Sequence, residues 1–564
     1  MMFLSIMIFP LNGNGDWGTS VENPLEISPF GTCYPGIVSA GENGYWVGLH
    51  YYHNSAHIQH LTVDGQVVYT PYPLRFYWTS NYLENASIKM IPDGYAGVVV
   101  SLAEQTIVDT VGLSDFIYKD RVKLQRIDNN GNFLWGIDTI PLWIHQTTKF
   151  QGGGWMAPGN NNEVFVLWFE SDTSIYFPVE MNPTSLFLQK LDPAGQRLWN
   201  ETRTIVADTL DHGQIVMIPD GTGGVIIQWQ QQMIQRFNPE GQPLWPSPRV
   251  INGFKAEAIK ADYTGGVFIV GRNRNENVSY PYQYQLKAQW INSQGELAWQ
   301  PSDGVVIIDS LRTPPSSRII LSNLPDTTLI VGWQRPIPPE AFSYYGYIQA
   351  INHQGQVLLN GFGITMDTMQ GQFGTLYQII DSHEDSTLIT VWAGGDSTIR
   401  VNKYDYALNP IWSTPAVAGI SASGYSNKAA SDGEGGVVIV WANGSDGRDG
   451  VFAQQVNANG ELGVILNNVK PENPSLPKTH ELQQPYPNPF NSQVVIPYEL
   501  SQNTSVELTI FNLLGQEVWH KTYQHQSAGA HTITWQANHV SSGLYFIQLQ
   551  AGQYQAIQKL TVLK

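Results

Sequence analysis

A short phrase returns along most of this chain, and a chain that repeats itself must fold as copies of one unit whose open faces are covered by neighbouring copies. The clearest copies are Pro92-Asp-Gly-Tyr-Ala-Gly-Val-Val-Val100, Pro219-Asp-Gly-Thr-Gly-Gly-Val-Ile-Ile227, Ala261-Asp-Tyr-Thr-Gly-Gly-Val-Phe-Ile269 and Ser431-Asp-Gly-Glu-Gly-Gly-Val-Val-Ile439. Looser ones stand at Gly41-Glu-Asn-Gly-Tyr-Trp-Val47, Gly159-Asn-Asn-Asn-Glu-Val-Phe-Val166, Pro325-Asp-Thr-Thr-Leu-Ile330 and Glu384-Asp-Ser-Thr-Leu-Ile389. A second phrase follows, as in Leu124-Gln-Arg-Ile-Asp-Asn-Asn-Gly131, Leu188-Gln-Lys-Leu-Asp-Pro-Ala-Gly195, Ile234-Gln-Arg-Phe-Asn-Pro-Glu-Gly241, Ala288-Gln-Trp-Ile-Asn-Ser-Gln-Gly295 and Ala453-Gln-Gln-Val-Asn-Ala-Asn-Gly460. Leu134-Trp135, Leu198-Trp199, Leu244-Trp245 and Leu297-Ala-Trp299 come after four of these. Together the two phrases mark eight copies between about residue 36 and about residue 466.

One copy reads as a four-stranded antiparallel meander. The Asp-Gly-x-Gly-Gly segment tolerates positive φ in a tight turn. Val-Val-Val or Val-Ile-Ile after it, with little polar alternation, is a strand buried on both faces. The Gln-bearing strand alternates and is placed further out, and the Asx-x-x-Gly turn sends the chain back through the Leu-Trp strand. A lone sheet of this size cannot bury both faces; closing such sheets into a ring does, and spacings of roughly 45 to 65 residues suit propeller blades. The fold class is therefore all-β, with a β-propeller of seven or eight blades. The copies resemble the Asp-Gly-Gly-Val and Leu-Trp repeats of bacterial secreted propellers, a resemblance that implies fold only. Asp16-Trp-Gly-Thr-Ser-Val21 looks like the closing strand of a blade without its first three strands, and would clasp the last blade. Gly460-Glu-Leu-Gly-Val-Ile-Leu466 competes for that place, so seven and eight both stand.

Beyond residue 466 the pattern stops. Residues 467–485 hold Pro471, Pro474, Pro477 and Pro485 without periodicity and read as an extended linker. Pro485, Pro487 and Pro489 remove three backbone donors, so Asn488, Phe490 and Asn491 are presented in a stiff lead-in. Short alternating segments follow from Val494 to Val562, punctuated by Gly515, Gly529, Gly543 and Gly552, and predict a small β-sandwich. Tyr486-Pro-Asn-Pro-Phe-Asn491, Asn512-Leu-Leu-Gly-Gln-Glu-Val518, Gly529-Ala-His-Thr-Ile-Thr-Trp535, Ser542-Gly-Leu-Tyr-Phe546 and Lys559-Leu-Thr-Val-Leu-Lys564 closely resemble the type A C-terminal sorting domain of the bacterial type IX secretion system. The resemblance implies export, with the outer-membrane secretion machinery as partner and a tail that is removed or exchanged for a surface anchor. It marks Pro487, Asn488, Pro489, Phe490, Asn491, Gly515, Gly529, Gly543, Tyr545, Lys559 and Lys564 as sorting-motif residues.

Passengers of that pathway reach the outside through the periplasm, which implies a cleavable leader. Met1-Met-Phe-Leu-Ser-Ile-Met-Ile-Phe9 has the apolar character of one, lacks the basic start and stops at Pro10, so residues 1–12 read as a clipped signal peptide. The resulting plan is signal peptide 1–12, propeller 13–466, linker 467–485 and sorting sandwich 486–564. No other apolar run approaches the roughly 20 residues that span a bilayer. Cys33 is the only cysteine, which excludes an intrachain disulfide. With 29 basic against 47 acidic side chains and a net charge of −18, the chain is disfavoured as a ligand for nucleic acid or anionic lipid.

Catalytic signatures are missing: there is no His-Glu-x-x-His, Gly-x-Ser-x-Gly, phosphate-binding loop or cysteine cluster. The Asp-Gly elements lack the order of a sialidase Asp-box and read as structural turns. Asp446-Gly-Arg-Asp-Gly450 and Asp211-His212 offer too few oxygens for calcium, so neither a metal nor a cofactor is expected. Most aromatic residues recur at fixed repeat positions, as packing residues do. Tyr72, Tyr77, Trp78, Tyr282, Tyr284, Tyr344 and Tyr345 lie instead in non-repeating insertions and are candidates for a face that binds a glycan or protein ligand. The expectation is a binding or adhesion module rather than an enzyme. A polysaccharide hydrolase or lyase, which needs two carboxylates facing each other across a central pocket, and a structural surface-layer component are the alternatives.

Overall fold

The computed structural model describes Trp17 and residues 24–28, 35–51, 55–69, 74–76, 88–111, 115–135, 142–143, 150–171, 184–199, 202–206, 215–275, 283–311, 319–337, 340–366, 375–382, 386–393, 398–420, 428–443, 450–463, 480–483, 485, 488, 490, 493–501, 504–526, 529–537, 540–552 and 554–563. The chain is all-β and divides into two compact units, Met1–Ile465 and Leu466–Lys564. The expected signal peptide and all but the last few residues of the expected linker lie outside the described residues.

The first unit contains eight four-stranded antiparallel sheets among the described residues. Seven are simple meanders, for example Val216–Pro219, Val225–Trp229, Met233–Phe237 and Arg249–Val250. The eighth differs in one strand. Lys428–Ser431, Val437–Asn443 and Gly450–Val456 come from the end of the unit, and the outer strand is Leu25–Ser28 from its beginning, with Leu25 opposite Ala453 and Glu26 opposite Phe452. The clasp is thus the N-terminal segment, a few residues later than the sequence pattern placed it. Leu462 makes only a turn-closing bridge to Val456.

The first strand of each sheet contacts the first strand of the next, and Gly36–Ser39 contacts Lys428–Ser431 to complete the circuit. Eight separate hydrophobic clusters fill the eight joints between consecutive sheets. This follows from the second strands, which bury both faces: every residue of Val225–Trp229 and Thr387–Ala393 is buried. At the joint between the eighth and first sheets, Trp17 and Ile27 pack with Tyr45, Val47, Val438 and Val440. Each such side chain contributes about 1.5–3 kcal/mol by leaving water.

The strand that carries the Gln of the second phrase is the third of its sheet, away from the first strands that contact one another, and the Gln itself is buried. Gln189, Gln235, Gln289 and Gln349 are at most 3% exposed. Gln289 Oε1 accepts from the backbone N–H of Trp290 and Trp299 while its Nε2 donates to the Trp299 carbonyl, and Gln349 clamps Ala350 and Leu359 in the same way. A planar amide with both donor and acceptor is what that gap between the third strand and the Leu-Trp segment needs, because a buried orphan amide would cost about 1–3 kcal/mol.

The second unit has two sheets, one with strands Glu481–Leu482, Gln493–Leu500 and Gly529–Gln536, the other ordered Glu517–Gln526, Thr504–Asn512, Gly543–Ala551, Tyr554–Val562. Inward side chains of both share one core that includes Val494, Ile496 and Trp535 with Leu508, Ile547 and Leu560.

Candidate functional site

In a four-strand meander the connections between strands one and two and between three and four leave one end of the sheet; those between two and three, and onward to the next sheet, leave the other. The first end is nearly invariant. Between strands one and two lie residues 40–44, 93–97, 159–163, 220–224, 262–266, 324–328 and 432–436, five each, with only the seventh sheet shorter by one. In the turns after strand three a bridge joins residues six apart in all eight sheets, from Leu61 with Val67 to Val456 with Leu462.

The repeated Asp is the internal strut of the first turn. Asp220, wholly buried, accepts at Oδ1 from the N–H of Thr222 and Gly224 at 2.8 Å, and at Oδ2 from Arg236 Nε at 2.8 Å. Burial pushes its carboxyl up, but Arg236, Thr222 and Gly224 together hold it below the ordinary carboxylate value. Asp93, Asp262 and Asp432 repeat the pattern, with Arg126, Trp290 and Gln455 in the place of Arg236. Two looser copies lack this Asp and form 3-10 turns at Gly41–Asn43 and Asn160–Asn162 instead.

Neighbouring sheets are pinned at the same end. Trp135, Trp245, Trp299 and Trp412 donate their indole N–H to carbonyls of Pro193, Ser293, His353 and Ala458, each in the strand-three turn of the next sheet, at 2.9–3.2 Å. Trp17 does this to Val63 at 2.8 Å, so it stands as the missing Trp of the eighth sheet. These polar groups are consumed by the scaffold. The invariant end is built to hold the sheets together.

The other end varies in length throughout. Connections between strands two and three run from 2 residues (338–339) to 12 (172–183), and those between sheets from 4 (251–254) to 12 (77–88). Two hairpins extend there: Val98–Val111 with Asp115–Ile127, and Leu329–Ile337 with Glu340–Ile351. With strands of 14 and 13 residues, the first is longer by roughly 30 Å than the hairpin Val225–Trp229 with Met233–Phe237. Tyr72, Tyr77, Trp78 and Tyr282 lie outside the described residues, as do Asp211, His212 and 446–449. Tyr344 pairs with Pro336 in the second long hairpin. Tyr284 and Tyr345 are half-buried at the joint between the fifth and sixth sheets, Tyr345 edge-on to Tyr347 at 6.4 Å. Carboxylates on first strands are engaged: Glu257 is forked by Arg272 at 2.5–2.6 Å, and Asp381 accepts from Tyr406 at 3.1 Å. Lys89, also on a first strand, donates to the Gly153 carbonyl and lies over the Trp155 ring at 4.7 Å; burial pushes its amine down to about 8. Among the described residues no three His, Cys, Asp or Glu side chains gather as metal ligands.

In the second unit, motif segments far apart in sequence meet at one end of the four-stranded sheet. Asn488 acts as a short strand through its side chain, accepting from Thr561 N–H at 2.8 Å and donating to the Lys559 carbonyl at 2.6 Å. Phe490 continues along the last strand, donating to Thr561 and accepting from Leu563. Its buried ring meets Trp535 edge-on at 5.7 Å, and Trp535 meets Tyr545 at 5.8 Å. Tyr545 sits opposite Asn512, which opens the turn to Gly515, at φ +76°. That turn repeats the Asx geometry of the first unit, Asn512 Oδ1 accepting from Leu514 and Gln516. Gly529, opposite Leu500, begins the strand that carries Trp535 to this end. Lys559 is exposed opposite Phe546, and a Cβ at Gly543 would make only an ordinary contact with the Tyr545 ring at 3.9 Å. Pro487, Pro489, Asn491 and Lys564 lie outside the described residues. Sequence patterning does not single out the exposed Leu513 and Leu514 of the same turn; their place inside a recurrent Asx turn is the signal that marks them.

Residues 484–563 match the family described as secretion system C-terminal sorting domain. The carboxyl-terminal unit is a type IX sorting domain. It marks the chain for export to the cell surface or the medium, and it implies interaction with the type IX secretion machinery. No curated protein sequence matches the chain. Among solved structures, it is similar to a prolyl endopeptidase (11% identity, TM-score 0.39, 74% of this chain and 55% of that one), so it spans little more than half of that protein's length. It is also similar to PorZ, a surface component of the type IX secretion system of Porphyromonas gingivalis (8%, 0.24, 94% and 75%), and to the polysaccharide lyase Uly1 (9%, 0.37, 80% and 94%). No helix among the described residues is long and apolar enough to cross a membrane.

Proposed function

We propose that the protein is an exported binding or adhesion module: an eight-bladed β-propeller, closed by its own N-terminal strand, presents a ligand face at its variable end, and a β-sandwich carries the sorting signal. In this reading residues 1–12 are the signal peptide, 13–466 the propeller, 467–485 the linker and 486–564 the sandwich. The contrast between the two ends of the same sheets carries the reading. Where the scaffold is braced, strands one and two are joined by four or five residues and the six-apart bridge after strand three recurs in every sheet, while at the opposite end the connections between strands two and three run from 2 to 12 residues. A scaffold that concentrates its variation on one rim is how folds present recognition surfaces. Glycans and surface proteins are the ligand classes that suit the aromatic residues of those insertions.

The test is binding by the full chain in which 105–120, the tip of the first long hairpin, is replaced by Asn-Gly. Loss of binding to a glycan array or to a cell surface with unchanged melting supports the reading. Full binding by this variant and by one equally shortened in the second hairpin refutes it.

A further inference from the structure

The outward face of the four-stranded sheet in the sorting domain is graded along its length. At one end the row across the sheet is Glu507, Gln550 and Gln555, polar as an exposed face should be. At the other, the rows are Phe511, Phe546 and Lys559, and then Leu544 opposite Thr561, with Leu513 beyond Asn512 and Leu563 beyond Val562. Leu513 is 66% exposed, Leu514 83%, Leu544 37% and Leu563 57%. Single exposed leucines need no explanation, but four at one end of one sheet, Leu513 and Leu514 in its turn with Leu544 and Leu563 on and just beyond its last two strands, beside two half-buried phenylalanines, make apolar surface that water disfavours.

We infer that this patch is the surface by which the sorting domain docks into an apolar groove of the type IX outer-membrane machinery, an inference that rests on the export reading of this domain. Two observations choose that occupant. The patch sits where the segments that carry the sequence resemblance to the sorting domain converge, from Asn488 and Phe490 through the 512–515 turn and Tyr545 to Lys559 and Leu563. The buried members of those segments, Phe490, Trp535 and Tyr545, hold the end rigid, while the exposed members supply the leucines. A rigid apolar patch with a charged rim, here Lys559 and Glu517, is the anatomy of a docking surface.

The experiment is export of the full chain in a host with a type IX system, comparing wild type with Leu513→Ser/Leu514→Ser, with Leu544→Thr, and with Gln550→Ser/Gln555→Ser at the polar end. The first two variants are expected to lower the amount outside cells by roughly tenfold, the scale of losing an apolar hot spot, with periplasmic accumulation and unchanged melting; the third exports normally. A chain lacking 484–563 separates the failures. If that deletion is still exported, the sorting role falls. If the deletion is retained while the leucine variants are exported like wild type, the docking patch falls and the sorting role stands. Conversion of a dimer to a monomer by the leucine changes, with export intact, assigns the patch to a second copy and likewise overturns the proposal. Should the double variant melt lower, Leu514→Gln alone, at the most exposed position, decides: reduced export upholds the patch and normal export removes it.

Discussion

The two ends of the eight sheets share the same strands and differ in almost everything else. At the invariant end an Asp in the first turn and a Gln on the third strand satisfy polar groups within a sheet, and a Trp bonds to the next sheet, so loss of the Trp is felt by two sheets. At the variable end the connections between strands two and three run from 2 to 12 residues. Stability and variation are thus separated along one axis. Substitutions should therefore rank by which end, and which joint, they touch.

Removal of 1–28 takes away Trp17, Ile27 and the outer strand of the eighth sheet, leaving the Gly450–Val456 edge open to other chains. A loss of about 5 kcal/mol is expected from the two buried side chains alone, read as aggregation or a broadened melting transition. If the shortened chain melts like wild type, the clasp contributes nothing. Gly224→Val comes next. Gly224 lacks a positive φ; its constraint is that a Cβ there would lie 2.1 Å from the Phe237 carbonyl oxygen. A cost of about 3 kcal/mol or more follows, whereas Gly433→Ala, where φ is +76° but no atom lies within 4 Å, should cost about 1 kcal/mol. Equal melting of these two variants would show that crowding does not govern the invariant turns.

Asp220→Asn should cost about 2 kcal/mol by weakening its bond to Arg236. It also carries a pH signature. An acid whose folded pKa is depressed stabilises the protein fully above its unfolded value, 3.8, and loses that contribution as pH falls through the lower folded value. Wild-type stability should therefore fall more steeply below pH 3.8 than that of Asp220→Asn, checked by denaturant melts across that range; parallel curves would remove the strut. Trp299→Phe, which deletes the indole bond to the His353 carbonyl, should cost about 1 kcal/mol. Shortening 105–120 at the variable end should stay within about 0.5 kcal/mol.

The repeating unit is readable in the sequence because turn chemistry is local: Asp-Gly-x-Gly-Gly and Asn-x-x-Gly each need particular residue types within five positions. The strands of the sorting domain are readable for a similar reason, since apolar alternation from Val494 to Val562 matches the observed strands. Burial of the Gln is not readable, because period-two alternation places a polar side chain outward unless a gap between two non-adjacent segments is already known. Likewise the clasp rests on a non-local pairing between Leu25 and Ala453, and no local pattern distinguishes that strand from the competing 460–466. The aromatic insertions are visible as departures from the repeat, but departure alone does not separate a ligand face from packing, and Tyr284 and Tyr345 pack. Convergence of the sorting segments depends on side-chain bonds from Asn488 across more than seventy residues.

Ring closure by the amino-terminal strand is the claim on which the contrast between the ends depends, and a cross-link reads it directly. Leu25→Cys with Ala453→Cys, register partners, in a Cys33→Ser background should form an intramolecular disulfide in the folded monomer, found by peptide mass mapping without reductant. Free thiols at both positions in folded monomer, or a bond that forms only between two chains, would contradict the closed circuit of eight sheets.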